Sequence, residues 1–243
     1  MGDKQHIVVV GAQRAGSTFL YHTLQSHPEI FMSVPVKPEP KYFLKESVNY
    51  ADYLKEVFPN YPDHVTYLGE KSVSYYESIS VAEQIKKLLP GVKILLILRN
   101  PVDRALSNYS FSVTHGLETR TPEEAFILNV PPPPRSMSTS VDPFDYIGRS
   151  DYMCHVPVLK NLFGEDLLIL QFERLVNGLD LSQLQNFLNL KVGFELPEAS
   201  NMFNQSERFI ISDAVQGHLK SRFQPMIEEL STYLRRDFSE WNN

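Results

Sequence analysis

Near its start the chain carries a run of buried-type residues that empties into a glycine loop and then into helix-forming sequence. His6-Ile7-Val8-Val9-Val10 is consecutively apolar after His6 rather than alternating, as expected of a strand covered on both faces. Gly11-Ala12-Gln13-Arg14-Ala15-Gly16-Ser17-Thr18 follows, and Ser17–Gln25 reads as the next helix, ending before His27-Pro28. A strand–loop–helix of this kind gathers the backbone N–H groups around Ala15–Thr18 at the positive end of a helix dipole. That arrangement binds an anion without needing any one side chain. Gly11 and Gly16 permit the tight turn and a close approach, with Gln13 and Ala15 as backbone lining. Arg14 adds fixed charge, and Ser17 and Thr18 add hydroxyl donors. A turn with a purely structural role is the alternative reading.

Strand-like and helix-like segments alternate along the chain, predicting an α/β fold with a P-loop-like central parallel sheet flanked by helices. Val65–Leu68, Val92–Leu98 and Leu167–Gln171 read as further strands. Helices are expected over Asn49–Phe58, Ile79–Leu89, Pro101 to about His115, Tyr146–Phe163, Leu181–Leu188 and Ser212–Leu234, the last bent at Pro225. The 243 residues suit one large domain spanning 1–243. Residues 129–145, with four consecutive prolines and then small polar residues, break the pattern as a long irregular loop or flap.

A net charge of −6 argues against a nucleic-acid partner, although a local basic pocket is compatible with it. One cysteine, Cys154, excludes an internal disulfide framework and a cysteine-rich metal site, and is expected in the core. No apolar stretch approaches the roughly 18 residues of a membrane span, and Met1-Gly2-Asp3-Lys4 leads straight into the first strand. The expectation is a cytoplasmic protein with no membrane partner. The oligomeric state is not legible.

The loop fits the triphosphate pattern G-x-x-x-x-G-K-[ST] at both glycines and the final hydroxyl but has Ser17 where that pattern needs lysine. No apolar strand ends in an aspartate placed for magnesium: Val92–Leu98 ends in Arg99, and Leu167–Leu170 in Gln171-Phe172-Glu173. ATP hydrolysis is therefore disfavoured. Arg99 falls at the carboxyl end of the most apolar strand, where α/β proteins bind ligands. Asn100-Pro101 suits a helix entry, and Ser107 lies two turns along. A guanidinium fork and a hydroxyl suit a second, terminal phosphate. Arg104 is expected at the surface or paired with Asp103 or Glu118.

Gly11–Thr18 resembles the 5′-phosphosulfate loop of sulfotransferases, and Arg99 with Ser107 resembles their 3′-phosphate motif. With "PEPKYF" (38–43), "GEKSVSYY" (69–76) and "GRSDY" (148–152), the ordered set is most similar to the branch containing the heparan sulfate N- and O-sulfotransferases and their bacterial relatives. The resemblance runs from residue 6 to about 175.

It implies 3′-phosphoadenosine 5′-phosphosulfate (PAPS) as donor, 3′-phosphoadenosine 5′-phosphate (PAP) as product, and no metal. Arg14, standing where the family usually has lysine, would meet the leaving phosphate. Glu39 would be the catalytic base, and Lys71 would face the sulfuryl group, oriented by Glu70. Tyr152, in the "R-S-x-Y" element with Arg149 and Ser150, would lie near the nucleotide. His115 is a rival base, whereas His27 reads as a structural cap. Tyr75 and Tyr76 are candidate acceptor walls or core residues. The family's glycine- and lysine-rich closing loop is replaced by "NQSERF", with Ser206 and Arg208 as substitutes. The acidic balance favours a small or carrier-tethered hydroxyl acceptor, such as a natural product, over a polyanion. An ATP- and magnesium-dependent small-molecule kinase and a non-catalytic nucleotide-binding module are the other readings.

Overall fold

The computed structural model describes residues 4–134, 141–196 and 210–242. The first strand, β1 (Gln5–Gly11), is buried from His6 onward, with Ile7, Val8 and Val9 fully excluded from water. Around it lie β2 (Ile30–Met32), β3 (Tyr67–Lys71), β4 (Lys93–Leu98) and β5 (Leu167–Gln171). They form one parallel sheet in the order β2-β3-β1-β4-β5. Ile94 to Leu98 have no exposure, as the unbroken apolar run requires of a central strand.

The order places the topological switch between β1 and β4, because the chain first builds outward past β3 and then crosses to the other side of β1. Ligands of open parallel sheets bind at the carboxyl ends of strands at such a switch. The β1–β4 register shifts between Val9 and Gly11, and Ala12 N donates to Ile97 O at 2.8 Å, so the glycine loop leaves from there.

The helices are α1 (Ser17–Gln25), α2 (Tyr50–Val57), α3 (Ile79–Leu88), α4 (Pro101–Thr114), α5 (Pro122–Phe126), α6 (Val156–Phe163), α7 (Phe172–Val176), α8 (Leu181–Phe187) and α9 (Asp213–Leu234). Caps fix several ends. Asn49 accepts from Asp52 N before α2, Ser78 from Val81 N before α3, and Asn100 from Val102 N before α4. Thr121 and Glu124 form a capping box on α5. Helix α9 runs through Pro225 rather than stopping there.

Contacts group the chain into two compact units, Met1–Arg99 with Val158–Phe203, and Asn100–Pro157 with Asn204–Asn243. The whole sheet belongs to the first. In the second, α4 packs on α9, and Asn100 Nδ2 donates to Trp241 O at 3.0 Å.

Three expectations are corrected. The Tyr146–Phe163 helix is instead two 3-10 turns, Gly148–Ser150 and Tyr152–Cys154, followed by α6. Arg104 is fully buried rather than at the surface, and its guanidinium donates to Tyr146 O, Ser150 Oγ and Asn108 Oδ1. Tyr146 O, which no helical i+4 amide takes, accepts from both this guanidinium and the Ser150 hydroxyl. Cys154 is exposed, at the end of the second turn.

Candidate active site

The loop after β1 has the backbone its sequence calls for. Arg14 and Gly16 have positive φ angles of 69° and 93°. A Cβ at Gly16 would meet the Phe172 ring at 2.1 Å, so glycine is needed there on two counts. Gly11 packs against the Tyr76 ring, where a Cβ would fall 2.4 Å from a ring carbon. Gly16 caps α1 without a side-chain bond, and the helix starts at Ser17. Its first turn therefore presents backbone N–H groups and a positive dipole end. Gln13, Arg14 and Thr18 are half-buried, whereas Ala15 and Ser17 are buried.

Phe172, the first residue of α7, joins two parts of the anion-binding prediction. The ring against Gly16 also stacks under Arg99, whose guanidinium carbon lies 5.3 Å from its centroid. The end of β5 thus holds the arginine at the end of β4. Apolar sequence around Phe172 reads as core, so nothing in the sequence marked it.

β3 extends three residues further than the sequence suggested, to Lys71, and carries Glu70 and Lys71 within the strand. Lys71 is 2% exposed and forms an ion pair and hydrogen bond with Glu39 Oε1. Glu39 Oε2 accepts from Val73 N at 3.2 Å. Glu39 keeps 14% side-chain exposure, so it is held firmly yet open. The expectation that Glu70 orients Lys71 is overturned: neighbouring strand residues face opposite sides, and Glu70 bonds Ser72 and Tyr75 instead. Tyr75 and Tyr76 are buried core residues.

A further cation, Lys37, was missed because a lysine between prolines looks like ordinary surface. Burial lowers its ammonium pKa, with the positive charges of Lys71 and Arg14 adding to the effect and Glu39 opposing it. Arg14, Lys37 and Lys71 thus share a field with Glu39 as their counter-charge. This is the local basic patch that an acidic chain needs if it is to hold a phosphosulfate.

Ser107, His115, Arg149 and Tyr152 lie in the second unit. Ser107 is half-buried on α4. Tyr152 is buried and rests 6.1 Å from Trp241, centroid to centroid. Arg149 is buried and donates to Asn108 Oδ1 at 3.2 Å. His115 caps α4 on the exterior, its Nδ1 donating to Phe111 O at 2.8 Å. His27 is structural: Nδ1 accepts from Glu29 N, which leaves Nε2 to donate to Val192 O at 3.1 Å. Ser206 and Arg208 lie outside the described residues, as do residues 135–140 of the irregular loop. Among the described residues, no helix is long and apolar enough to cross a membrane.

Comparison with known proteins points the same way. A family model described as a sulfotransferase domain matches residues 4–209. Bifunctional heparan sulfate N-deacetylase/N-sulfotransferase 1 of Caenorhabditis elegans is 32% identical over 112 residues, which is 45% of this chain and 13% of that protein. Heparan sulfate glucosamine 3-O-sulfotransferase 5 of Mus musculus is 25% identical over 249 residues, covering 97% of this chain and 69% of the mouse protein. The chain therefore spans only a small part of the large bifunctional relatives. A sulfotransferase crystal structure from Alicyclobacillus acidocaldarius superposes with a TM-score of 0.76 at 21% identity, over 99% of this chain and 100% of that one.

Proposed function

The chain belongs to the sulfotransferase domain family, and from that premise we propose that it transfers a sulfuryl group from PAPS to the hydroxyl of a small or carrier-tethered acceptor. The observation that carries this reading is Glu39 paired with the buried Lys71, both acting, together with the glycine loop's Arg14, on the charge of Lys37. The 5′-phosphosulfate is assigned to the N–H groups of Gly16, Ser17 and Thr18 with Arg14, and the 3′-phosphate to Arg99, with Ser107 added by resemblance to the family motif alone. Tyr152 and Arg208 are assigned to the nucleotide by resemblance alone.

In the transfer, the acceptor oxygen attacks sulfur as Glu39 takes its proton. The bond from sulfur to the 5′-phosphate oxygen breaks, and PAP leaves with the negative charge. Arg14 and the loop N–H groups stabilise that charge, while Lys71 and Lys37 face the transferring oxygens. Arginine at position 14 supplies charge but no ready proton, so the leaving phosphate departs unprotonated. Glu39 is preferred to His115 as base because it sits among these cations. No step calls for a metal.

The chain's acidity supports a small acceptor over the polysaccharides named for its relatives. The test is a transfer assay with sulfur-labelled PAPS against small hydroxyl compounds, carrier-tethered hydroxyls and a heparan-type polysaccharide. Label on either of the first two supports the proposal, and label on the polysaccharide alone would overturn the acceptor assignment.

A further inference from the structure

β3 ends on a carboxylate and an ammonium in adjacent positions, and only the ammonium enters the chemistry above. Glu70 is fully buried with no cationic partner among the described residues. A carboxyl group is an expensive core residue unless hydrogen bonds compensate for its lost hydration. Besides the buried Tyr53 hydroxyl, which also acts on this carboxyl, two hydroxyls hydrogen-bond to it, and both reach the same oxygen: Ser72 Oγ is 3.0 Å and Tyr75 Oη 3.4 Å from Glu70 Oε2.

A carboxylate oxygen can only accept, so each hydroxyl must aim its proton at Glu70 and turn its lone pairs elsewhere. Those lone pairs meet the backbone of the segment that bears Glu39. Lys41 N donates to Ser72 Oγ at 3.0 Å, and Phe43 N donates to Tyr75 Oη at 3.1 Å. Phe43 is buried and packs edge-on against the Tyr75 ring, which pins the same segment by contact. Lys41 has a positive φ of 49°, a backbone state that a non-glycine residue keeps only when its surroundings hold it there.

We propose that Glu70 is a positioning residue for Glu39: through the Ser72 and Tyr75 hydroxyls it fixes the backbone of residues 41–43, and with it the carboxylate two residues earlier. This rests on the reading of Glu39 as the base. Because both hydroxyls converge on Oε2, a proton taken up by Glu70 belongs on Oε1 and leaves the relay in place. For the same reason glutamine at position 70, with its amide oxygen at the Oε2 position, preserves it.

The experiment joins backbone amide exchange at Lys41 and Phe43 with PAP affinity and with the slow release of sulfate from PAPS into water. Ser72→Ala is expected to speed exchange about tenfold at Lys41, and Tyr75→Phe to do so at Phe43, the worth of one hydrogen bond each. Both should slow sulfate release while PAP affinity stays at the wild-type value. Glu70→Gln should match wild type in all three readouts, and Glu70→Leu should combine the two defects. Unchanged exchange in Ser72→Ala and Tyr75→Phe would overturn the proposal even if Glu70→Leu fails to fold. So would Glu70→Gln proving as disruptive as the other variants, or faster exchange with undiminished sulfate release. Wild-type sulfate release from Glu39→Gln would instead sink the reading of Glu39 as base, while the exchange results stand independently.

Discussion

Lys71–Glu39 and Arg120–Glu118 each set a cation against a carboxylate largely removed from water, and they are furnished very differently. Glu118, in the second unit, is fully buried and accepts from five donors: Thr119 N, Arg120 N, Nε and Nη2, and the Tyr146 hydroxyl. Burial alone would raise its pKa, but Arg120 and Tyr146 together hold it below the usual carboxylate value. Arg120 then spends Nη1 on Val130 O at 2.6 Å. Glu39, in the first unit, accepts from two donors among the described residues, and it keeps an open edge. A saturated buried network specifies structure, whereas a partly filled one at the ends of parallel strands has capacity for a ligand.

The two carboxylates should respond to substitution in opposite ways. Glu39→Gln should cut transfer by about 10²–10⁴-fold, the usual worth of a positioned base, with PAP affinity and unfolding free energy close to wild type. Loss of stability instead of rate would mean that the two pairs are alike. Glu118→Ala should do the opposite, costing about 3–5 kcal/mol in urea unfolding by leaving Arg120 buried and uncompensated, with PAP affinity of the folded fraction unchanged.

Smaller effects are expected where charge meets the ligand. Arg14→Ala and Arg99→Ala should each weaken PAP by roughly 10–100-fold, the range for a hydrogen bond to a charged group. Unchanged affinity in either variant would remove that arginine from the site. The smallest effect is a pH dependence. Burial raises the Glu70 pKa from 4.5 to about 7. The folded state thus holds a proton that the unfolded chain has already lost. The stability so gained is fully present below about pH 4.5 and is lost as pH rises through 7. Urea unfolding of Glu70→Gln should lack this decline between about pH 4.5 and 7, by about 1–3 kcal/mol relative to wild type. Parallel curves across pH 5–8 would contradict it.

What the sequence disclosed followed from local physics. The strand at Val92–Leu98 and the helices opening at Ser17 and Ile79 announce themselves through apolar runs, periodicity and caps, and the structure matches them within a residue or so. β2 escaped notice because three residues beside Pro28 are too few to show alternation. The turns at 148–154 read as helix because aromatic spacing is blind to Arg104, which reaches Tyr146 O just before them and Ser150 Oγ within them from another element. Of the candidate site, Glu39, Lys71 and the glycine loop were legible as motifs. Lys37, Phe172 and the Glu70 relay were not, since each matters through a partner distant in sequence.

If the ends of β1, β3 and β4 form a site for a phosphoadenosine phosphosulfate donor, calorimetric titration with PAP, run beside ATP-Mg²⁺ and adenosine 5′-phosphate, reads it out. Tight binding of PAP is expected, with much weaker binding of the monophosphate and no preference for ATP. Preference for ATP-Mg²⁺, or no binding of PAP, would contradict it.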